Sequence, residues 1–172
     1  MKRFASGTRF WIAAAMSVAL VAAGTLGIGS VALGQDQSAA TAKDVIFARK
    51  ILMSSIGENM DELEGIIESG KIDIQHGASH ADLASVMLLA FPHLFPPASN
   101  EWKPGVDKDA GVDTFAAPEV WSRYADFYQR SADAAKTAYN ASRARTADEF
   151  KKYVVELRGA CDSCHAVYQK KD

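Results

Sequence analysis

Cysteine is scarce in this chain, which has only two among its 172 residues, Cys161 and Cys164. This number excludes a disulfide-stapled scaffold, and a bridge across so short a loop would stabilise the fold little. A structural zinc site needs about four ligands, commonly from two cysteine pairs, and the chain has no second pair. His76, His80 and His93 are scattered without a ligand-like partner, and we interpret them as surface or loop residues.

The sequence also lacks the period-two alternation of strands, and it contains no internal repeat. This argues against a thioredoxin-like redox cysteine pair, because such a pair usually lies near a βαβ pattern. Positive charge is not in excess, since 19 basic and 21 acidic residues give a formal net charge of −2. We therefore expect no nucleic acid partner. A mildly acidic surface would suit steering toward a basic redox partner protein.

Charged residues are absent from positions 10–33. This apolar run follows a basic start and ends in the small residues Ala32 and Gly34, a pattern that predicts a cleaved signal peptide over residues 1–34. The run is also long enough to span a bilayer, so a retained membrane anchor is the alternative. With the signal removed, residues 35–172 are expected to form one domain without membrane attachment.

What the chain does carry is Cys161-Asp-Ser-Cys164-His165, the C-x-x-C-H signal for attachment of a c-type haem. Two thiols at this spacing can add to the two haem vinyl groups as thioethers, and the adjacent imidazole then reaches the iron. The motif predicts one covalently bound haem c, held by Cys161 and Cys164, with His165 as its proximal ligand. Because bacteria attach c-type haem outside the cytoplasm, the motif agrees with the export signal, and we expect the periplasm.

Apolar periodicity predicts four helices in the remaining sequence. We expect the first three over about 41–69, 79–91 and 118–141, with a long loop at 96–117. The fourth begins at the capping box of Thr146 and carries the haem motif on its core-facing side. Together these elements predict an all-α fold, an antiparallel four-helix bundle with the cofactor between its helices.

Two helix faces are predicted from their large apolar side chains. The second helix is expected to bury Leu83, Val86, Met87 and Ala90. One side of the third carries an aromatic stripe together with small residues, namely Trp121, Tyr124, Ala125, Tyr128, Ala132, Ala135 and Tyr139. Such a stripe favours bundle core, and the alternative is that its aromatic members line the haem pocket.

Several segments extend the pattern beyond the haem motif. They are Arg49-x-x-x-Met53, Phe95-Pro96, Ala117-Pro118-Glu119-x-x-Trp121 and Cys161-x-x-Cys164-His165-x-x-Tyr168. With these segments, the chain resembles the class II cytochromes c, the cytochrome c′ superfamily. The resemblance implies a haem motif near the C-terminus of the last helix of a four-helix bundle. It also implies homodimers through the first two helices, which an exposed stripe beside Leu52 and Leu63 would permit.

The distal ligand divides this family. In cytochromes c′ proper the iron is five-coordinate and high-spin, and an apolar distal side admits NO and CO. In the cytochrome c-556 type a methionine of the first helix ligates the iron and gives a low-spin electron carrier. The resemblance around Leu52-Met53 favours the second type, with Met53 as the sixth ligand, and the gas-binding type is the alternative. No enzyme activity is expected, because the predicted distal side offers no acid–base residue.

Three further residues receive roles. Met60 lies two helical turns beyond Met53, so both cannot reach one iron, and we assign Met60 to the core. The resemblance implies that Arg49 binds a haem propionate, with a solvated surface arginine as the alternative. Many cytochromes c′ carry a basic residue four positions after the haem histidine, where this chain has Gln169 followed by Lys170.

Overall fold

The computed structural model describes residues 40–105 and 113–170. The predicted signal peptide therefore lies outside the described residues. Five α-helices follow in chain order, with two short 3₁₀ segments at Phe91–Leu94 and Pro97–Ser99. The α-helices are α1 Ala42–Glu68, α2 Ile74–Ala90, α3 Glu119–Ser122, α4 Tyr124–Ser142 and α5 Ala147–Tyr168. The four long ones form the predicted bundle, and no strand occurs in the described ranges.

The bounds predicted for the first helix, about 41–69, agree with those of α1. The Thr41 hydroxyl accepts from the Asp44 amide, while the Asp44 carboxylate accepts from the Thr41 amide, which completes a capping box. At the other end Gly70 adopts φ +70°, a left-handed conformation that few other residues take readily. These two signals fix where the helix starts and stops.

Helix α2 differs from its prediction in both start and face. It begins at Ile74, because Asp73 caps it by accepting from the His76 amide, five residues earlier than the apolar pattern indicated. Leu83 and Val86, predicted as core, are 54% and 66% exposed. The residues that α2 buries are mostly small, namely Gly77, Ala81, Ala84, Ser85 and Leu88.

The third predicted helix is divided at Arg123 into the short α3 and the long α4. Its aromatic stripe was wrongly assigned, because Tyr124, Tyr128 and Tyr139 are 38%, 41% and 50% exposed. Helix α4 buries mostly small residues instead, namely Phe127, Ser131, Ala134, Ala135, Ala138, Ala141 and Ser142. Helices α2 and α4 can thus pack closely, and serine hydroxyls join them, from Ser85 to the Ala135 carbonyl and from Ser131 to the Leu88 carbonyl.

Helix α5 begins as predicted, with the Thr146 hydroxyl accepting from the Glu149 amide. Phe150, Val154 and Leu157 are each at most 1% exposed and belong to the main core with residues of α1, α2 and α4. A second, smaller cluster joins Phe95, Val120, Phe127 and Tyr168. None of the described helices is long and apolar enough to cross a membrane.

Candidate functional site

The three residues of the haem motif lie on the last two turns of α5. Cys161, Cys164 and Tyr168 are at helical steps of three and four, and His165 is one turn after Cys161. Both cysteines and His165 are half-buried, between the exposed surface of the helix and the bundle interior. The helix therefore presents two thiols and one imidazole toward the same interior space.

The thiols lack the lowered pKa of a reactive redox pair. They are free, and burial raises the pKa of Cys161 above its ordinary value and that of Cys164 to about 11. Catalytic thiols show the opposite shift, because a nearby cation or a helix N-terminus lowers their pKa. Neither cysteine takes part in a three-residue metal-ligand cluster within the described ranges, which also argues against zinc at this position.

Two adjoining cavities open beside this end of α5. The larger measures about 310 Å³ and the smaller about 130 Å³. Both are lined by one shared set of residues, Met53, Phe91, Phe127, Cys164 and His165. A largely apolar space bounded by the haem motif is what a buried macrocycle requires, so the donor set and its surroundings fit a haem.

Met53 lies on α1 across the cavities from the haem motif. It is half-buried and borders both cavities, and Ile56 and Met60 continue the wall of the smaller one. The side chains that α1 offers to the smaller cavity are therefore apolar. Met60 is only 1% exposed and belongs to the main core, as predicted. The Met53 thioether could serve as a soft, weak ligand for iron, or it could serve only as an apolar residue of the cavity wall.

Arg49 is buried on the wall of the larger cavity, one turn before Met53. Its guanidinium donates to the Ser99 hydroxyl at 3.0 Å and carbonyl at 3.2 Å, and to the Thr114 hydroxyl. Its Cζ atom lies 4.7 Å from the centroid of the Phe95 ring. Burial lowers the pKa of Arg49 to about 10. Among the described residues it forms no ion pair, and its hydrogen-bond partners are neutral. The more distant charge of Glu101 offsets part of the effect of burial on the pKa of Arg49.

The long loop that precedes α3 borders this cavity. Its described end supplies Thr114, Phe115 and Ala116 to the lining. The Ala117 amide donates to the Tyr168 carbonyl, and the Lys170 amide donates to the Phe115 carbonyl, so the loop is tied to the end of α5. Long loops in compact domains are often functional, and the described end of this one lines the larger cavity.

Helix α4 supplies the third side of the site through Phe127, which borders both cavities and is 2% exposed. The sequence reasoning missed Phe127 and named Trp121, Tyr124 and Tyr128, which do not line either cavity in the described structure. Trp121 donates its indole N–H to the Phe95 carbonyl, and Tyr124 donates its hydroxyl to the Pro92 carbonyl. These two hydrogen bonds attach the rings to the segment after α2, outside the two cavities.

Tyr168 packs at the edge of the larger cavity, and its hydroxyl donates to Asp126. Burial and this carboxylate raise the pKa of Tyr168, while the hydrogen bond lowers the pKa of Asp126. The basic residue near the motif, Lys170, is engaged elsewhere, because its ammonium group pairs with Glu119 at 3.4 Å. Gln169 lines the larger cavity instead.

The fold and the site together define a four-helix c-type cytochrome. The family model described as Cytochrome C′ matches residues 44–169, and the chain belongs to the cytochrome c′ family, which binds haem c. Cytochrome c′ of Pararhodospirillum photometricum is 29% identical over 126 residues, which cover 71% of this chain and 93% of that protein.

Solved structures agree on the fold. A cytochrome c′ with an unusual ligand-controlled dimer dissociation is 20% identical, with a TM-score of 0.66, and the match covers 78% of this chain and all of that one. A nitric oxide complex of a cytochrome c′ variant from Alcaligenes xylosoxidans is 18% identical, with a TM-score of 0.64 and coverage of 77% and 99%. These relatives are cytochromes c′, and they do not support the c-556 subtype that the sequence around Met53 favoured.

Proposed function

We propose that this protein is an exported cytochrome c′ of the periplasm, with one haem c attached through thioethers to Cys161 and Cys164. The observation that carries the proposal is the placement of the C-x-x-C-H motif on α5 against two adjoining cavities. His165 would be the proximal ligand, and Arg49 would neutralise a propionate. Bound haem would supply a redox-active iron able to hold a small ligand, a chemistry the side chains lack.

The distal side is proposed to be open and to admit NO or CO. In the smaller cavity α1 contributes Met53, Ile56 and Met60, and none of these side chains would donate or accept a proton. The polar residues of α1, namely Arg49, Lys50 and Ser54, border the larger cavity. The apolar wall of the smaller cavity is the arrangement expected for gas binding, and it lacks the polar distal groups that a peroxidase uses for O–O cleavage. We accordingly propose no enzyme activity.

Electron transfer with Met53 as a sixth ligand is the second candidate function. The observation in its favour is that Met53 borders both cavities together with His165, on the opposite helix. In this alternative the protein would exchange electrons with redox partner proteins and would bind no gas. The family relatives favour the first candidate.

Covalent attachment is tested by the mass of the denatured protein purified from a haem-maturing host. The unmutated chain should carry the mass of one haem after acid extraction. Cys161→Ala and Cys164→Ala each leave one thioether site, so neither single variant decides the question. Cys161→Ala/Cys164→Ala must lose the haem mass completely. A double variant that keeps haem mass after extraction would contradict the attachment sites.

Gas binding is tested by titrating the reduced protein with CO. We expect saturable binding that Met53→Leu alters by less than tenfold, because Met53 would be a wall residue. If Met53 were the sixth ligand, the unmutated protein would resist CO, and Met53→Leu would open the site and raise CO affinity by orders of magnitude. That result would establish the second candidate.

A homodimer interface is proposed on α1 and α2. Five apolar side chains are more than half exposed there, namely Phe47, Ile51, Leu83, Val86 and Leu89. Of the two residues beside which such a stripe was expected, Leu63 is fully buried, and Leu52 is half-buried next to the exposed Ile51. Exposed apolar surface of this kind marks an interaction site, and one solved relative is a dimer under ligand control.

A further inference from the structure

Three potential metal ligands meet on the surface of the α1–α2 pair, outside the haem site. Glu62 of α1 and His76 and His80 of α2 each place one donor atom within 4.8 Å of the other two. Glu62 and His76 are exposed, and His80 is half-buried. The sequence reasoning found no partner for these histidines, because it started α2 near residue 79 and so left His76 in a loop.

The earlier start of α2 changes the relation of the two histidines. With the helix beginning at Ile74, His76 and His80 are four residues apart on one helical face. Their ring centroids lie 4.9 Å apart at an angle of 73°. Two histidines at this spacing on a helix are a recurrent pair of ligands for zinc.

The tautomer of the His80 ring is set by a neighbour on α1. The Asn59 amide donates its N–H to the Ser55 carbonyl at 2.8 Å, which turns its oxygen toward His80. This oxygen lies 2.9 Å from Nδ1 of His80, so Nδ1 carries the proton and Nε2 keeps its lone pair. A metal-binding histidine usually has its second nitrogen fixed by such a hydrogen bond.

We propose that Glu62, His76 and His80 form a binding site for a divalent late transition metal, with zinc as the reference ion. Two imidazoles and one carboxylate suit zinc and copper, and three protein ligands leave room for a water or an external ligand. Bonds of about 2.0–2.1 Å require the donor atoms to approach one another more closely than 4.8 Å, which the exposed Glu62 and His76 side chains can accomplish. The ion would join α1 to α2.

The test is calorimetric titration of the untagged, haem-loaded protein with Zn²⁺. We expect one ion per chain, with affinity reduced at least tenfold by His76→Ala, His80→Ala and Glu62→Gln. Asn59→Ala should weaken binding by about 10–100-fold, the range measured when the hydrogen-bond partner of a ligand is removed. His93→Ala is the matched control, since His93 is exposed and lies outside the cluster.

A second readout does not depend on calorimetry. Zn²⁺ should raise the thermal unfolding midpoint of the unmutated protein and of His93→Ala, but not that of His80→Ala, because only the native cluster binds the ion. Circular dichroism of each variant shows whether it folds. Absence of Zn²⁺ binding, or binding that His76→Ala and His80→Ala leave intact, would overturn the proposal.

Discussion

At the scale of the residue, Arg49 is the side chain whose surroundings depend most on the proposed cofactor. Two hydroxyls and a carbonyl hold its guanidinium at the cavity wall, yet none of them cancels its charge. Burial of an unbalanced charge is costly, and burial does lower its pKa to about 10. A haem propionate would balance this charge, so Arg49 is the residue that favours an anionic ligand at this site.

Removing the Arg49 charge should lower the haem reduction potential. In Arg49→Leu the oxidised haem loses a repelling cation, and we expect a fall on the order of 50 mV, close to a tenfold change in a one-electron equilibrium. Arg49→Lys keeps the charge but loses the forked hydrogen bonds, so its potential should change much less. Potentiometric titration measures both. Equal potentials in all three proteins would show that Arg49 acts only in packing.

At the scale of the element, the bundle could be predicted from the sequence where large residues make the core and not where small ones do. Helices α1 and α5 follow their apolar periodicity, and Ile56, Leu63, Phe150 and Leu157 are all buried. Helices α2 and α4 instead meet mainly through small side chains, and Leu83, Val86 and Tyr128 lie on their exposed sides. The spacing of the large apolar residues therefore predicted the wrong buried faces for α2 and α4.

The same cause explains why Phe127 was missed while the haem motif was found. The motif is specific on its own, whereas Phe127 belongs to a run of small residues at helical spacing, with Ser131, Ala134, Ala138 and Ala141. That spacing was the available signal for the buried face of α4. Arg49 was assigned by resemblance, but its partners Ser99 and Thr114 come from distant loop positions that no periodicity reveals.

Gly77 on α2 tests the close packing of small residues. A Cβ atom at this position would lie 2.2 Å from Cζ of Phe150, which is fully buried and has no room to move. Gly77→Ala should therefore destabilise the fold by about 1–2 kcal/mol, since overpacking outweighs the better helix propensity of alanine. Urea unfolding measures the change.

Gly65 on α1 is the matched control for Gly77. A Cβ atom there meets nothing within 4 Å, so Gly65→Ala should stabilise the helix by about 0.5–1 kcal/mol. Equal effects of the two substitutions would contradict the close contact between the Phe150 ring and Gly77. The comparison needs no assumption about the cofactor.

The ion pair between α5 and α1 predicts a pH dependence of stability. Arg158 donates two hydrogen bonds of 2.6 Å to Glu64, which lower the pKa of that carboxyl below 4.5. A lowered carboxyl pKa stabilises the fold above its unfolded value, and this contribution is lost as pH falls through the folded pKa. Both groups are about one third exposed, so we expect only about 0.5–1 kcal/mol.

The measurement is the free energy of unfolding between pH 7 and pH 3. Glu64→Gln should be less stable than the unmutated protein at pH 7 and should match it at the acid end. Glu156→Gln, which removes an exposed pair within α5, is the control and should change the profile less. If the two variants gave the same dependence of unfolding free energy on pH, the Arg158–Glu64 pair would stabilise the fold no more than an exposed pair within one helix.

At the scale of the whole molecule, exposed apolar side chains concentrate on one pair of helices. Phe47 and Ile51 lie on α1, and Leu83, Val86 and Leu89 lie on α2. The other helices expose mainly tyrosines, which carry a polar tip, and a single valine at Val155. The proposed dimer would cover the α1–α2 surface and leave the helices that carry the haem motif and Phe127 on its outer side.

Charges placed on this surface should separate the subunits. Ile51→Glu/Val86→Glu should weaken dimerisation at least a hundredfold, about 2.8 kcal/mol at 1.4 kcal/mol per tenfold, because two buried carboxylates would lack partners. Val155→Glu puts the same charge on a residue of similar exposure on α5 and should leave the dimer intact. Sedimentation equilibrium measures the dimer dissociation constant of each protein. A monomeric unmutated protein, or equal weakening by all variants, would contradict the proposed interface.

The central claim is a haem whose distal side, facing Met53, is open. Electron paramagnetic resonance of the oxidised protein at neutral pH tests it most directly, because the spin state reports the number of strong axial ligands. The account predicts a high-spin ferric signal from an iron held only by His165 on the protein side. A purely low-spin signal, with a methionine–iron charge-transfer band in the absorption spectrum that Met53→Leu abolishes, would contradict it.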